Sequence, residues 1–120
     1  MYQHGEGVEQ DYNKAKNFYE QSLKLGNLAA MNNLGYLYHH GLGVEVDVFT
    51  AINYYAESAL GGYSIAMYNL GCIYYNGVGL EKDIEKAKKY FIAASKRGNK
   101  NAKKMLEKID SGSSGFCNIL

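Results

Sequence analysis

Few side chains in this chain could do chemistry. They are the histidines His4, His39 and His40, the cysteines Cys72 and Cys117, and a Gly-x-Gly loop that occurs three times. Neighbouring residues on a helix point in different directions, so His39 and His40 make a poor metal pair. No carboxylate stands at ligand spacing to complete a site with them. Cys72 falls in the middle of a helical stretch with no histidine in register, which favours small-residue packing over a nucleophile. The two cysteines have no spacing that suggests a disulfide framework or a zinc site, so a reducing compartment is the default. The loops Gly5-Glu6-Gly7, Gly41-Leu42-Gly43 and Gly77-Val78-Gly79 have the composition of a phosphate cradle. They follow helices rather than strands, however, and recur in every unit, which makes them turns. No catalytic residue, metal ligand or cofactor is expected, and an enzyme is disfavoured.

One short pattern does point to a covalent modification. Cys117-Asn118-Ile119-Leu120 has a cysteine four from the end, an aliphatic third position and a terminal Leu, the arrangement of a geranylgeranylation signal. The preceding Asp110-Ser111-Gly112-Ser113-Ser114-Gly115 is a flexible linker by composition. The same composition suits a disordered terminus or a cloning remnant. A single lipid gives only marginal membrane binding, and a basic patch is the usual second signal. Lys96, Arg97, Lys100, Lys103, Lys104 and Lys108 could supply it by facing an anionic membrane surface. The charge distribution agrees: residues 1–80 hold three Lys against seven acids, while residues 81–120 hold ten Lys/Arg against five. A solvated outer face on the last helices accounts for the same asymmetry. Nucleic acid is not an expected partner, because total charge is near neutral and the basic residues are not interleaved with exposed aromatics.

The elements that position these residues follow from a fixed period. Gly41-Leu42-Gly43-Val44-Glu45-Val46-Asp47 has counterparts 36 residues before and after it, and the copies align without gaps. Ala15, Ala51 and Ala87 correspond, as do Tyr19, Tyr55 and Phe91, and Leu34, Leu70 and Leu106. A period of this size is the mark of stacked repeats. Each unit reads as two helices. One starts at a capping Asp (Asp11, Asp47 or Asp83) and carries apolar or small residues at helical period, for example Ala51, Tyr54, Tyr55 and Ser58. The other, near 28–39 and 64–75, carries Ala30, Leu34, Gly35 and Tyr38 on one face. Gly35 and Gly71 each cost about 1 kcal/mol of helix propensity against Ala, which suggests two helix backbones in close approach. Asn33 and Asn69 are expected to bond neighbouring backbone rather than a ligand.

The ends depart from the pattern. The chain opens on the last turn of a helix, so the helix at about 12–25 lacks a partner, as in the C-terminal part of a longer array. Helix 100–109 keeps Ala102, Leu106 and Ile109 for the core. It places Lys103, Glu107 and Lys108 where earlier repeats have Met67, Gly71 and Cys72, as a terminating repeat would. Two full repeats, 28–63 and 64–99, are thus flanked by half repeats within a solenoid at 1–110, followed by a flexible tail at 111–120. No apolar run reaches the roughly 18 residues of a membrane span, and no secretory signal is evident. A cytoplasmic location is expected, peripheral on a membrane if the tail is lipidated.

The run from Ala30 through Leu34-Gly35, Tyr38, Gly41, Gly43-Val44, Asp47, Ala51, Tyr54-Tyr55 and Ser58-Ala59 to Gly62 resembles the Sel-one-like repeat (SLR), a short relative of the tetratricopeptide repeat. The resemblance covers residues 2–109. It implies an all-α, right-handed α-solenoid of antiparallel helix pairs and an adaptor or scaffold that binds other proteins. It also admits a bacterial effector acting at host membranes. One bacterial branch of the family is rich in cysteine pairs clasping each repeat, and some of its members bind penicillin-like compounds; this chain lacks those pairs, so that activity is not carried over. By analogy with tetratricopeptide arrays, the first helix of each pair lines a concave face. The partner-binding positions would be Asn32, Tyr36, His39, Tyr68, Cys72 and Tyr75, taking a peptide or helix of a protein partner.

Overall fold

The computed structural model describes residues 14–17, 20, 27–77, 80–112 and 115–120. The first Gly-x-Gly loop, Tyr2, Asp11 and Tyr19 lie outside the described residues. Five helices follow in order: α1 (Leu28–His40), α2 (Val48–Leu60), α3 (Ser64–Asn76), α4 (Ile84–Lys96) and α5 (Lys100–Asp110). Among the described residues there is no strand. Each helix packs mainly on the one before and the one after it in sequence, which is the contact pattern of a solenoid.

The repeated loop sets where helices stop and start. Gly41 and Gly77 end α1 and α3 in the left-handed conformation, with φ of 69° and 70°, which a side chain would disfavour. The loop then closes back on its own helix: Asp47 N–H donates to Tyr38 O at 2.9 Å, and Asp83 N–H to Tyr74 O at 2.8 Å. The Asp carboxylates cap the next helices as expected, accepting from Thr50 N–H and Lys86 N–H. Asp47 also accepts from the Thr50 hydroxyl at 2.8 Å, and these bonds lower its pKa. Asn27 and Asn99 cap α1 and α5 in the same way.

Helix pairs are locked by an aromatic ring seated on a glycine. A Cβ built on Gly35 would lie 2.8 Å from the Tyr55 ring, and one on Gly71 would lie 2.5 Å from the Phe91 ring. A close approach is present at both glycines, but what mainly needs the space is a ring from the partner helix; at Gly35 the backbone oxygen of Ala51 also lies 3.1 Å from where a Cβ would stand. Tyr55 and Phe91 are both fully buried. The Tyr55 hydroxyl has no hydrogen-bond partner among the described residues, and Phe91 fills the equivalent place without one. The ring is therefore what the register requires. Burial and the nearby Tyr36 push the Tyr55 pKa far up. A second aromatic contact repeats at the same period, with Tyr38 stacked on Tyr54 and Tyr74 on Tyr90 at centroid distances of 5.8 and 5.9 Å.

Two core clusters result. One gathers Ala51, Tyr55, Leu70 and Ile73. The other gathers residues of α3, α4 and α5, including Tyr68, Phe91, Ala102 and Met105, and adds Cys117 from the C-terminal segment. Leu106 and Ile109 pack against it half-buried, while Met105 takes the deeper place in α5. Both clusters reach Ile119.

Because the Phe91 ring occupies the space over Gly71, Gly71→Ala is expected to destabilise the fold by about 1–3 kcal/mol, and Gly71→Leu by more. Thermal melts check this, at roughly 3–5 °C per kcal/mol for a domain of this size. An unchanged melt for Gly71→Leu would remove the ring-on-glycine contact from the account.

Candidate functional site: an asparagine-lined groove filled by the C-terminal segment

One stripe of α3 carries Tyr68, Asn69, Cys72 and Asn76, at the i, i+1, i+4 and i+8 positions, with the Tyr68 ring also packed on Phe91 of α4 at 5.8 Å. Residues 115–120 lie along this stripe, and their backbone rather than their side chains is what the stripe holds. Asn76 accepts from Cys117 N–H at 2.9 Å and donates to Cys117 O at 2.8 Å. Asn69 does the same for Leu120, both bonds being 2.9 Å. The Tyr68 hydroxyl donates to Asn118 O at 2.8 Å between them. Burial raises the Tyr68 pKa, which keeps that hydroxyl protonated as a donor.

Each asparagine thus gives one residue of the segment both halves of a backbone pairing, as a neighbouring strand would. The segment's own side chains alternate accordingly. Cys117 is buried and Ile119 half-buried, while Phe116, Asn118 and Leu120 are exposed. That period of two is the side-chain pattern of an extended chain. Asn69 is fully buried and also donates to Asn32 Oδ1 at 3.0 Å, so Asn32 fixes the amide that reads the segment.

A disulfide joins Cys72 to Cys117, with Cα atoms 5.0 Å apart. Both cysteines are essentially inaccessible to solvent. Three expectations are corrected here. The cysteines are not independent thiols. Cys117 has no free sulfur to accept a lipid, because that sulfur is bonded and buried beneath Tyr68, whose hydroxyl lies 3.5 Å away. Residues 115–120 do not hang free on the linker, because the asparagines and the Cys72 sulfur hold them in place. Closing a loop over a sequence separation of 45 removes on the order of 4 kcal/mol of unfolded-chain entropy in the loop-closure picture.

The sequence-derived positions divide. Tyr68 and Cys72 touch the segment directly, and Asn32 acts behind Asn69. His39 borders it across a cavity of about 160 Å³ that is also lined by His40, Asn76 and Cys117. The Tyr36 ring packs on His40 at 4.2 Å, and Tyr75 is buried with Lys82 Nζ 5.4 Å above its ring. Among the basic residues, Lys104 lines a second cavity of about 330 Å³ along the other edge of the segment, with Tyr68 and Met105. Arg97 instead lies against Gly62 of the turn between α2 and α3. Lys96, Lys100 and Lys103 are exposed, and Lys108 is half-buried near Gly115. Sequence reasoning missed Asn69 and Asn76. Asn69 is expected to bond neighbouring backbone; it does bond backbone, but 51 residues away in sequence. A signal was present: Asn69 lies three positions before Cys72 and Asn76 four positions after it, both on its helical face. Among the described residues no group of His, Cys, Asp and Glu could hold a metal ion, and no helix is long and apolar enough to cross a membrane.

The sequence model of the Sel1 repeat matches residues 1–27, 28–63 and 64–99. A solved Sel1 repeat protein from Oxalobacter formigenes superposes with a TM-score of 0.76 at 38% identity, over 86% of this chain and 42% of that one. A protective antigen present in uropathogenic Escherichia coli strains, displaying an SLR fold, superposes with a TM-score of 0.73 at 24% identity, over 93% of this chain and 26% of that one. The chain therefore spans less than half the length of these two structures. No curated protein matches it.

Burial lowers the pKa of His39, with His40 adding repulsion, and burial alone lowers that of His40. His39 Nδ1 is buried and has no partner among the described residues. Folded imidazoles that resist protonation make the unfolded chain the better proton acceptor. Stability is then intact above the ordinary histidine value near 6.5 and is lost as pH falls below it towards the lowered folded values. Thermal midpoints of the oxidised protein should fall between pH 7.5 and 5.5, and His39→Gln should flatten that slope. An equal slope in His39→Gln would assign the loss to other groups.

Proposed function

The chain belongs to the Sel1 repeat family, and on that footing we propose that it is a protein-interaction scaffold whose α3 face binds an extended segment of a partner protein. The observation that carries this reading is the paired hydrogen bonding of Asn69 and Asn76 to the backbone of residues 117–120. Main-chain hydrogen bonds of this kind supply affinity with little dependence on sequence, and pockets for alternate side chains supply selectivity. Selectivity here comes from two inward positions. The residue opposite Cys72 must be small, because Cys117 fills that place with 1% exposure. The residue two further on must be aliphatic, because Ile119 packs against both core clusters. The partner segment is therefore a small-x-aliphatic run in extended form. Cavities on both edges leave room for larger outward side chains.

A labelled peptide Gly-Phe-Ser-Asn-Ile-Leu tests this in solution. Against the chain carrying Cys117→Ser/Ile119→Asp, whose own segment no longer competes for the groove, fluorescence anisotropy should show saturable binding. Asn76→Ala in that background should weaken it about tenfold, the effect of losing one bidentate pairing at about 1.4 kcal/mol. Replacing the peptide's Ile by Asp should abolish binding. Equal affinity for Asn76→Ala would show that the peptide sits elsewhere.

A further inference from the structure

The groove has an occupant already, and it belongs to the same chain. We infer that residues 115–120 are a built-in competitor for the partner segment, latched by the Cys72–Cys117 disulfide, so that the groove opens to other proteins only when this bond is reduced. The inference rests on the peptide-binding reading above and adds its regulation.

Three observations carry it. First, the segment satisfies every polar group of the groove that a partner's backbone would need: both asparagine amides and the Tyr68 hydroxyl are engaged. A partner cannot bind beside it and must replace it. Second, the segment is tied to α5 by a connection of only a few residues, from Ser111 to Ser114. Short tethers hold their ends at millimolar effective concentration, so a partner faces strong competition even without a covalent bond. Third, the disulfide makes displacement impossible rather than costly while it is intact, because Cys117 cannot leave Cys72.

Reduction needs two electrons and two protons. A dithiol reductant supplies them: one of its thiolates attacks a sulfur of the Cys72–Cys117 bond, and the other resolves the mixed disulfide. The products are Cys72 and Cys117 as thiols and the reductant as its disulfide. Both protein sulfurs are buried, so attack follows a local opening of the segment, for which its exposed ends at Phe116 and Leu120 provide the starting points. Once reduced, the segment is held only by hydrogen bonds and Ile119, and a partner at sufficient concentration displaces it.

The full-length chain tests this with the same labelled peptide, Gly-Phe-Ser-Asn-Ile-Leu, in oxidised and dithiol-reduced protein. Hydrogen exchange of the Cys117 and Leu120 amides is followed in parallel, and circular dichroism confirms that the helices persist in both states. Oxidised protein should show at least tenfold weaker binding than reduced protein, with both amides protected. Reduction should raise their exchange and admit the peptide. The chain with Cys117→Ser should bind equally with and without reductant, and Cys117→Ser/Ile119→Asp should bind more tightly still, because its own segment no longer competes. Equal binding by oxidised and reduced wild type overturns the latch while leaving the peptide site standing. Absence of binding in every state and variant overturns the peptide site and the latch with it.

Discussion

The structure depends on one contact made at two registers: an aromatic ring from one helix standing on a glycine of the helix before it. Tyr55 over Gly35 and Phe91 over Gly71 bring α1 against α2 and α3 against α4 at a separation that no side chain on the glycine would permit. A well-packed core resists added volume, so this contact tolerates little variation. The loops can then be short, because the distance they must span is set for them. With both members of a pair committed to each other, α3 keeps one stripe whose polar groups reach the C-terminal segment, and the groove lies there.

That stripe is polar in a way a core would not allow. Asn69 is fully buried and carries three hydrogen bonds, one to Asn32 and two to the C-terminal segment. A buried amide must be satisfied by something, and an extended backbone satisfies it on both sides at once. The same segment places Cys117 and Ile119 into the apolar clusters. Polar and apolar requirements of the stripe are thus met by one short piece of chain, and any substitute for it must meet both.

Much of the fold was legible because its signals are local and periodic. Asp47 and Asp83 cap helices whichever neighbours they have, and Gly41 and Gly77 end them through a backbone preference alone. The Tyr55 and Phe91 register could be read by aligning copies, although the ring as the partner of Gly35 and Gly71 could not, since helix propensity records a cost without naming its beneficiary. The groove was legible only in part. Tyr68 and Cys72 follow from the repeat geometry. The pairing of Cys72 with Cys117 does not, because it joins a repeat position to a segment outside the period, and two cysteines separated by 45 residues carry no pattern of their own. The same gap explains why Cys117 read as a lipid acceptor: a four-residue motif describes only itself, while the fate of its sulfur is decided across the molecule.

The spacing of the two asparagines has a consequence for what the groove can measure. Asn69 and Asn76 are seven residues apart on a helix that rises 1.5 Å per residue, about 10.5 Å in all. The residues they hold, Leu120 and Cys117, are three apart, and an extended chain advances about 10 Å over three residues. The two lattices coincide there, running in opposite directions. Three residues of a helix would advance only about 4.5 Å and could not reach both asparagines. A proline at either held position would bring no N–H to the bond. The pair of amides therefore works as a ruler for chain extension. It holds residues 117–120 because they are straight and bring two amide protons at the right interval.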